Sequence, residues 1–198
     1  MSQYPALNLI RKKGDEPFRF NSESVGFCLE DFWGWSVSDL VSNATRGRLA
    51  EFIVARALGI ATDNVRDEWS AHDLTTPTGL KIEVKSAAYV QSWAQKDLSQ
   101  IRFSIRQSMA WSRETNLMSQ ESKRQADIYV FALLHHREKA TINPLDLAQW
   151  SFFVVSTTKL TAQLGKGASI SLNALKSLCG EPVGYRDLVV VVERAITE

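Results

Sequence analysis

The chain is poor in several features that would each point to a class of protein. Only two of its 198 residues are cysteines, Cys28 and Cys179. Far apart in sequence, they build neither a disulfide framework nor a zinc site, so a reducing, cytoplasmic setting is expected. Charge of one sign is also lacking: 23 basic residues face 22 acidic ones, for a net charge of +1. That balance excludes a histone-like coating protein and leaves room for a local basic face. No apolar run approaches the ~20 residues of a membrane span, and the opening MSQYPALNLIRKKGDE lacks the apolar core of a signal peptide. No repeat, low-complexity tract or linker is visible. Histidine is scarce. His72, His135 and His136 are the three, and the adjacent pair cannot share one face of a strand. None of them is expected to ligate a metal, and no spacing supports Ser-His-Asp or Cys-His catalysis. The Gly165–Gly167 stretch lacks the rest of a phosphate-binding loop.

What is present reads as an ordinary globular chain, with 44% hydrophobic and 23% charged residues. Residues 1–43 are irregular and aromatic, with Phe27, Phe32, Trp33 and Trp35 close together. Such a cluster is expected to be core packing, since aromatics carry large buried area; the other reading is a stacking platform or partner surface. NATRGRLAEFIVARALG predicts a helix, capped by Asn43 or Thr45 and ended by Gly59. Leu49, Phe52, Ile53 and Ala57 form its apolar stripe, with Glu51 at the edge. A strand is predicted over 68–75, then a turn at Thr76–Gly79, then strict alternation from Leu80 to Ser86. QIRFSIR alternates like a strand, with Ile101, Phe103 and Ile105 inward and Arg102 and Arg106 outward, although Leu98, Ile101, Ile105 and Met109 also fit a helix. ADIYVFALL and WSFFVVST read as buried strands and SLNALKSLC as a short helix. The stretch YRDLVVVVERAI fits either a strand, by its valines, or a helix face.

The chemistry gathers around Asp73, Glu83 and Lys85, behind the helix that bears Glu51. With 12 glutamates and 10 lysines in the chain, a bare Glu-x-Lys triplet is expected by chance about 0.6 times. A second copy, Glu121 to Lys123, has no apolar neighbours and is expected on a loop. The first copy lies in a strand pattern, where Glu83 and Lys85 project from one face. The turn decides where Asp73 goes. A two-residue loop at Pro77 and Thr78 would pair it with Ile82 on the apolar face. A three-residue loop, with Gly79 in the left-handed region, pairs it with Glu83, and Pro-Thr-Gly favours the second. Two facing carboxylates repel unless a cation lies between them, and all-oxygen ligation suits Mg²⁺ or Mn²⁺. A lysine beside such a metal can orient a water for attack on a phosphodiester. The plainer alternative is a solvated Glu/Lys pair on a half-buried strand.

RGRLAEFIVARAL, HDL and KIEVKSA, in that order, resemble the leading helix, aspartate strand and signature strand of the PD-(D/E)xK nuclease superfamily. The resemblance covers roughly residues 45–93, with only strand order in common from there to about Ser156. It implies an α/β fold with a restriction-endonuclease-like core, a mixed central β-sheet flanked by helices, and Mg²⁺- or Mn²⁺-dependent hydrolysis of DNA, less often RNA. It also implies that Asp73, Glu83 and the Val84 carbonyl ligate the metal, that Glu51 assists, and that Lys85 positions the attacking water. His72 stands where many members have proline. The expected organisation is one domain: an N-terminal extension (1–43) packed on the core, a catalytic core (44–156) and a C-terminal extension (157–198). Arg46, Arg48, Gln91, Trp93, Arg102 and Arg106 are the candidate DNA contacts, with Arg113, Lys123 and Arg124 in the same basic stretch. The expectation is a metal-dependent DNA endonuclease, cytoplasmic, possible as a homodimer, with no membrane partner. The rival is a non-catalytic DNA-binding or assembly module of the same fold.

Overall fold

The computed structural model describes residues 4–112 and 115–197. In chain order the elements are β1 (Pro17–Phe20), β2 (Glu23–Cys28), α1 (Leu29–Val37), α2 (Asn43–Ala57), β3 (Leu74–Thr75), β4 (Lys81–Ala88), β5 (Arg102–Ser104), β6 (Ser108–Ser112), β7 (Leu117–Lys123), β8 (Ile128–Leu134), β9 (Trp150–Ser156), α3 (Thr157–Leu164), β10 (Ser169–Ser171), α4 (Leu172–Cys179) and α5 (Leu188–Thr197). The central sheet runs β3-β4-β8-β9. It is mixed: β4 and β8 are parallel, while β3–β4 and β8–β9 are antiparallel. No helix among the described residues is long and apolar enough to cross a membrane.

Strand alternation sends the two sides of β4 and β8 into different cores. Ile82, Val84 and Ala88 join Ile128, Val130 and Ala132 on one face, covered by α2 and α5. Ala87, Tyr129, Phe131 and Leu133 pack on the other, covered by β5, β10, α3 and α4. β8 is wholly buried because both its faces are covered, which is why it reads as an unbroken apolar run.

Helix α2 begins at Asn43 and is closed by a Schellman arrangement. Gly59 takes φ +65°, and the N–H of Ile60 reaches the Ala55 carbonyl at 2.9 Å. Its buried stripe is Ala50, Ile53 and Val54. Phe52, expected there, faces outward and is half exposed, since it falls on the side of the helix away from the sheet. The ambiguous C-terminal stretch is helical: Leu188, Val192 and Ala195 recur at helical spacing and are buried.

Three expectations are corrected. The predicted strand over 68–75 shrinks to Leu74–Thr75, with Asp73 keeping one backbone bond to Ile82 and the residues before it outside the sheet. The Glu121 to Lys123 stretch is not a loop but part of β7, in a largely exposed hairpin with β6. The N-terminal aromatics are not core. No residue of α1 is buried, and Phe27, Phe32, Trp33 and Trp35 are all exposed, Trp35 by 84%. The β1–β2 hairpin and α1 are too small to enclose them, and the sheet's two faces are already covered.

Candidate active site

The β3–β4 hairpin sets the site. Its ladder pairs Leu74 with Ile82 and Thr75 with Lys81, and the Thr76 N–H donates to the Leu80 carbonyl at 2.9 Å. The loop is therefore the three residues Pro77, Thr78 and Gly79, with Gly79 at φ +86°. The regular register ends at Leu74: the Asp73 N–H also donates to the Ile82 carbonyl, at 3.1 Å, so Asp73 stays against β4 as an irregular last residue of the ladder. The Asp73 carboxylate then does what a third strand residue would have done: it accepts the Val84 N–H at 2.8 Å. A residue's N–H and C=O project to the same side of a strand, so the Val84 carbonyl faces this open edge too. The Val84 side chain is in the core.

Three carboxylates lie in one electrostatic neighbourhood, each with a partner. Glu83 is bonded to Lys85 Nζ on its own face of β4. Burial, and then the Asp73 charge, raise the Glu83 pKa above the ordinary glutamate value, against the opposing pull of Lys85. Across the ladder lies Tyr129, its hydroxyl pKa pushed up to about 12 by burial and then by Glu83. Glu51 is only 9% exposed. Burial raises its pKa, and a hydrogen bond from Arg66 opposes that. Arg66 grips Glu51 with two nitrogens, Nε on Oε2 and an Nη on Oε1 at 2.9 Å. That same Nη stands 3.7 Å from an Asp73 oxygen. Among the described residues, no three Asp, Glu, His or Cys side chains converge as a ready-made metal cage; the cations of Arg66 and Lys85 take up the carboxylates instead. A cleft of about 430 Å³ opens beside the cluster, with Arg48, Glu51, Arg66 and Asp73 in its wall.

Arg66 was not among the sequence candidates. It lies in an aperiodic stretch, and its partner Glu51 is remote along the chain. The only available signal was charge: three carboxylates gathered at one place require cations, and one lysine leaves them in excess.

The candidate nucleic-acid contacts divide. Arg46 is 3% exposed and donates to Ser86 Oγ, Gln91 Oε1, Asn43 Oδ1 and the Val41 carbonyl. It ties the start of α2 to β4, with four of its five N–H donors engaged inside the fold. Gln91 is buried with it and bonds the Ala88 carbonyl and Ser99; β4 has ended at Ala88, so Gln91 no longer shares the face of Glu83. Arg124 is buried as well, clamping the carbonyls of Ile105, Gly165 and Gly167. Those three expectations give way to structural roles. Arg48, Trp93, Arg102 and Arg106 are exposed. Arg48 pairs with Glu68 at 3.1 Å, and Arg102 donates to Ser169. Lys123 is exposed, paired loosely with Glu121. Arg113 lies outside the described residues. His72 bonds Thr75 rather than a carboxylate.

The family model for bacteriophage T4 endonuclease IV matches residues 24–173. No curated protein and no solved structure matches the chain. The match runs from β2 into α4 and contains Glu51, Asp73, Glu83 and Lys85. Covering most of the chain, it shows that the chain belongs to the bacteriophage T4 endonuclease IV family.

Proposed function

We propose that the chain is a metal-dependent DNA endonuclease of the restriction-endonuclease-like type, using Glu51, Asp73, Glu83 and Lys85. The family is one of endonucleases, which supports hydrolysis of DNA. The observation that supports the rest is the Asp73 carboxylate on the Val84 N–H, between Glu83 and Lys85 on β4, with Glu51 joined to Asp73 through Arg66. The donor set suits a hard divalent ion. Glu51 and Glu83 have raised pKa values, through burial first and then the charge of Asp73, so a cation of higher charge density relieves a standing repulsion.

In this reading Asp73, Glu83 and the Val84 carbonyl would hold Mg²⁺ or Mn²⁺, with Glu51 assisting. The ion supplies Lewis acidity and eases deprotonation of a water. Lys85, fixed on β4 beside Glu83, holds that water's oxygen towards phosphorus. As that oxygen adds to phosphorus the P–O ester bond breaks, its electron pair leaves with the departing oxygen, and the proton released by the water passes through solvent to that oxygen. Arg48 at the rim of the cleft, with Arg102 and Arg106, would contact phosphates, and exposed Trp93 would pack against the substrate.

The test is incubation with plasmid and linear DNA in Mg²⁺ or EDTA, together with Mn²⁺ calorimetry. Wild type should cut in Mg²⁺ and not in EDTA. Asp73→Ala and Glu83→Ala should lose both metal binding and cleavage. Lys85→Ala should bind metal at least as well and cut at least about a hundredfold more slowly. Wild type that cuts neither DNA nor RNA, and binds metal no better than Asp73→Ala, would leave the DNA-binding module as the reading.

A further inference from the structure

The segment from Ala61 to His72 is unusual in how it is held. Among the described residues it makes no backbone–backbone hydrogen bond. Side chains moor it instead: Asp63 to Arg11, Glu68 to Arg48, Trp69 against the Trp111 ring at 5.3 Å, and Arg66 to Glu51. Arg66 is the only one of these moorings that reaches the carboxylate cluster. Its guanidinium bridges Glu51 and Asp73, while 38% of its side chain stays exposed at the cleft wall. It can therefore leave without breaking main-chain structure. Lys85 is different: it is built into β4, and its ammonium remains beside Glu83 whatever the loop does.

We propose that Arg66 is an exchangeable counter-ion, which occupies the carboxylates of Glu51 and Asp73 in the metal-free protein and gives them up to a divalent cation. This rests on the metal-dependent reading above. A guanidinium and a divalent ion cannot share the same two carboxylates, because the anionic oxygens that each requires are the same and the two cations repel. In the metal-free arrangement both Glu51 oxygens are turned to Arg66, and one Asp73 oxygen lies 3.7 Å from it. The ion pair keeps the cluster folded when metal is scarce, and its strength is subtracted from the affinity for metal.

The test is Mn²⁺ calorimetry and thermal melting of the full chain carrying Arg66→Gln, Arg66→Met or Arg66→Lys. Methionine offers no oxygen that could itself ligate Mn²⁺, so it guards against misreading the glutamine. Both uncharged variants should bind Mn²⁺ at least about tenfold more tightly, the effect of removing one adjacent charge. Arg66→Lys should stay within about threefold of wild type. In EDTA the uncharged variants should melt below wild type, and in saturating Mn²⁺ that gap should close or reverse. Equal or weaker Mn²⁺ binding by both uncharged variants, or a melting gap unchanged by Mn²⁺, overturns the exchange and leaves the metal reading standing. If neither wild type nor any variant binds Mn²⁺, the metal reading fails and the exchange with it.

Discussion

Burying a guanidinium is costly, and the first turn of α2 does it at Arg46. Burial lowers the pKa of this arginine, and four acceptors from α2, β4 and the neighbouring loops compensate. Arg46→Ala would strand those acceptors. It should cost about 2–4 kcal/mol in a urea melt and leave the salt dependence of DNA binding unchanged, whereas Arg102→Ala should lower that slope by about one. An Arg46→Ala chain of wild-type stability would show that the hydrogen bonds are dispensable. Glu83 makes the opposite case. Its pKa in the folded chain is raised by burial and by Asp73, so its protonated form favours the fold. That contribution is fully present below the unfolded value near 4.5 and is lost as pH rises through the raised folded value. In EDTA, Glu83→Gln should therefore melt above wild type at neutral pH, and the advantage should vanish at about pH 4. If the variant is instead less stable at neutral pH, the Lys85 pair outweighs burial.

Among the elements, the β3–β4 hairpin places the site, and its turn depends on one backbone angle. At φ +86° Gly79 has open space where a Cβ would go, so Gly79→Ala meets no clash and pays only for the left-handed backbone. Unfolding should show a loss of about 1–2 kcal/mol. Cleavage should fall further than stability does, since the same turn holds Asp73 against Ile82 and Val84 of β4. A variant equally active and less stable would separate the turn from the site. This hairpin was legible because period-two alternation and the Pro-Thr-Gly turn agree with each other. Helix α2 was legible for a similar reason, its apolar spacing and Gly59 marking the same end. The valines of α5 argued for strand, but packing of Leu188, Val192 and Ala195 against the sheet decides for helix. β7 could not be read, because both its faces are solvent-exposed and leave no hydrophobic pattern. Arg66 could not be read either: its stretch has no period, and only the folded chain brings it to Glu51. Arg46 and Arg124 were misjudged because a basic residue is usually a surface residue, and nothing local marks the pocket of acceptors that encloses each.

For the whole molecule, the N-terminal hairpin and α1 stand apart from the two cores. The segment ahead of them is tied to the rest by the exposed Arg11–Asp63 pair, of a kind worth about 0–1 kcal/mol. Removing residues 1–37 should leave one cooperative transition within roughly 4 °C of the full chain, measured by calorimetry. A collapse of that transition would mean that the aromatics support the core despite their exposure. The sheet's connectivity also sets the order in which the site can assemble. Asp73 and Glu83 meet by closing a three-residue loop, a local event with little chain entropy to lose. Pairing β4 with β8 must wait for the whole stretch from Tyr89 to Asp127 to fold back on itself, and contacts of such long sequence separation form slowly. The acidic pair thus comes together in a strand whose long-range neighbour has yet to arrive. During that interval its charges face water, and the cost of enclosing them falls due only when the parallel partner docks.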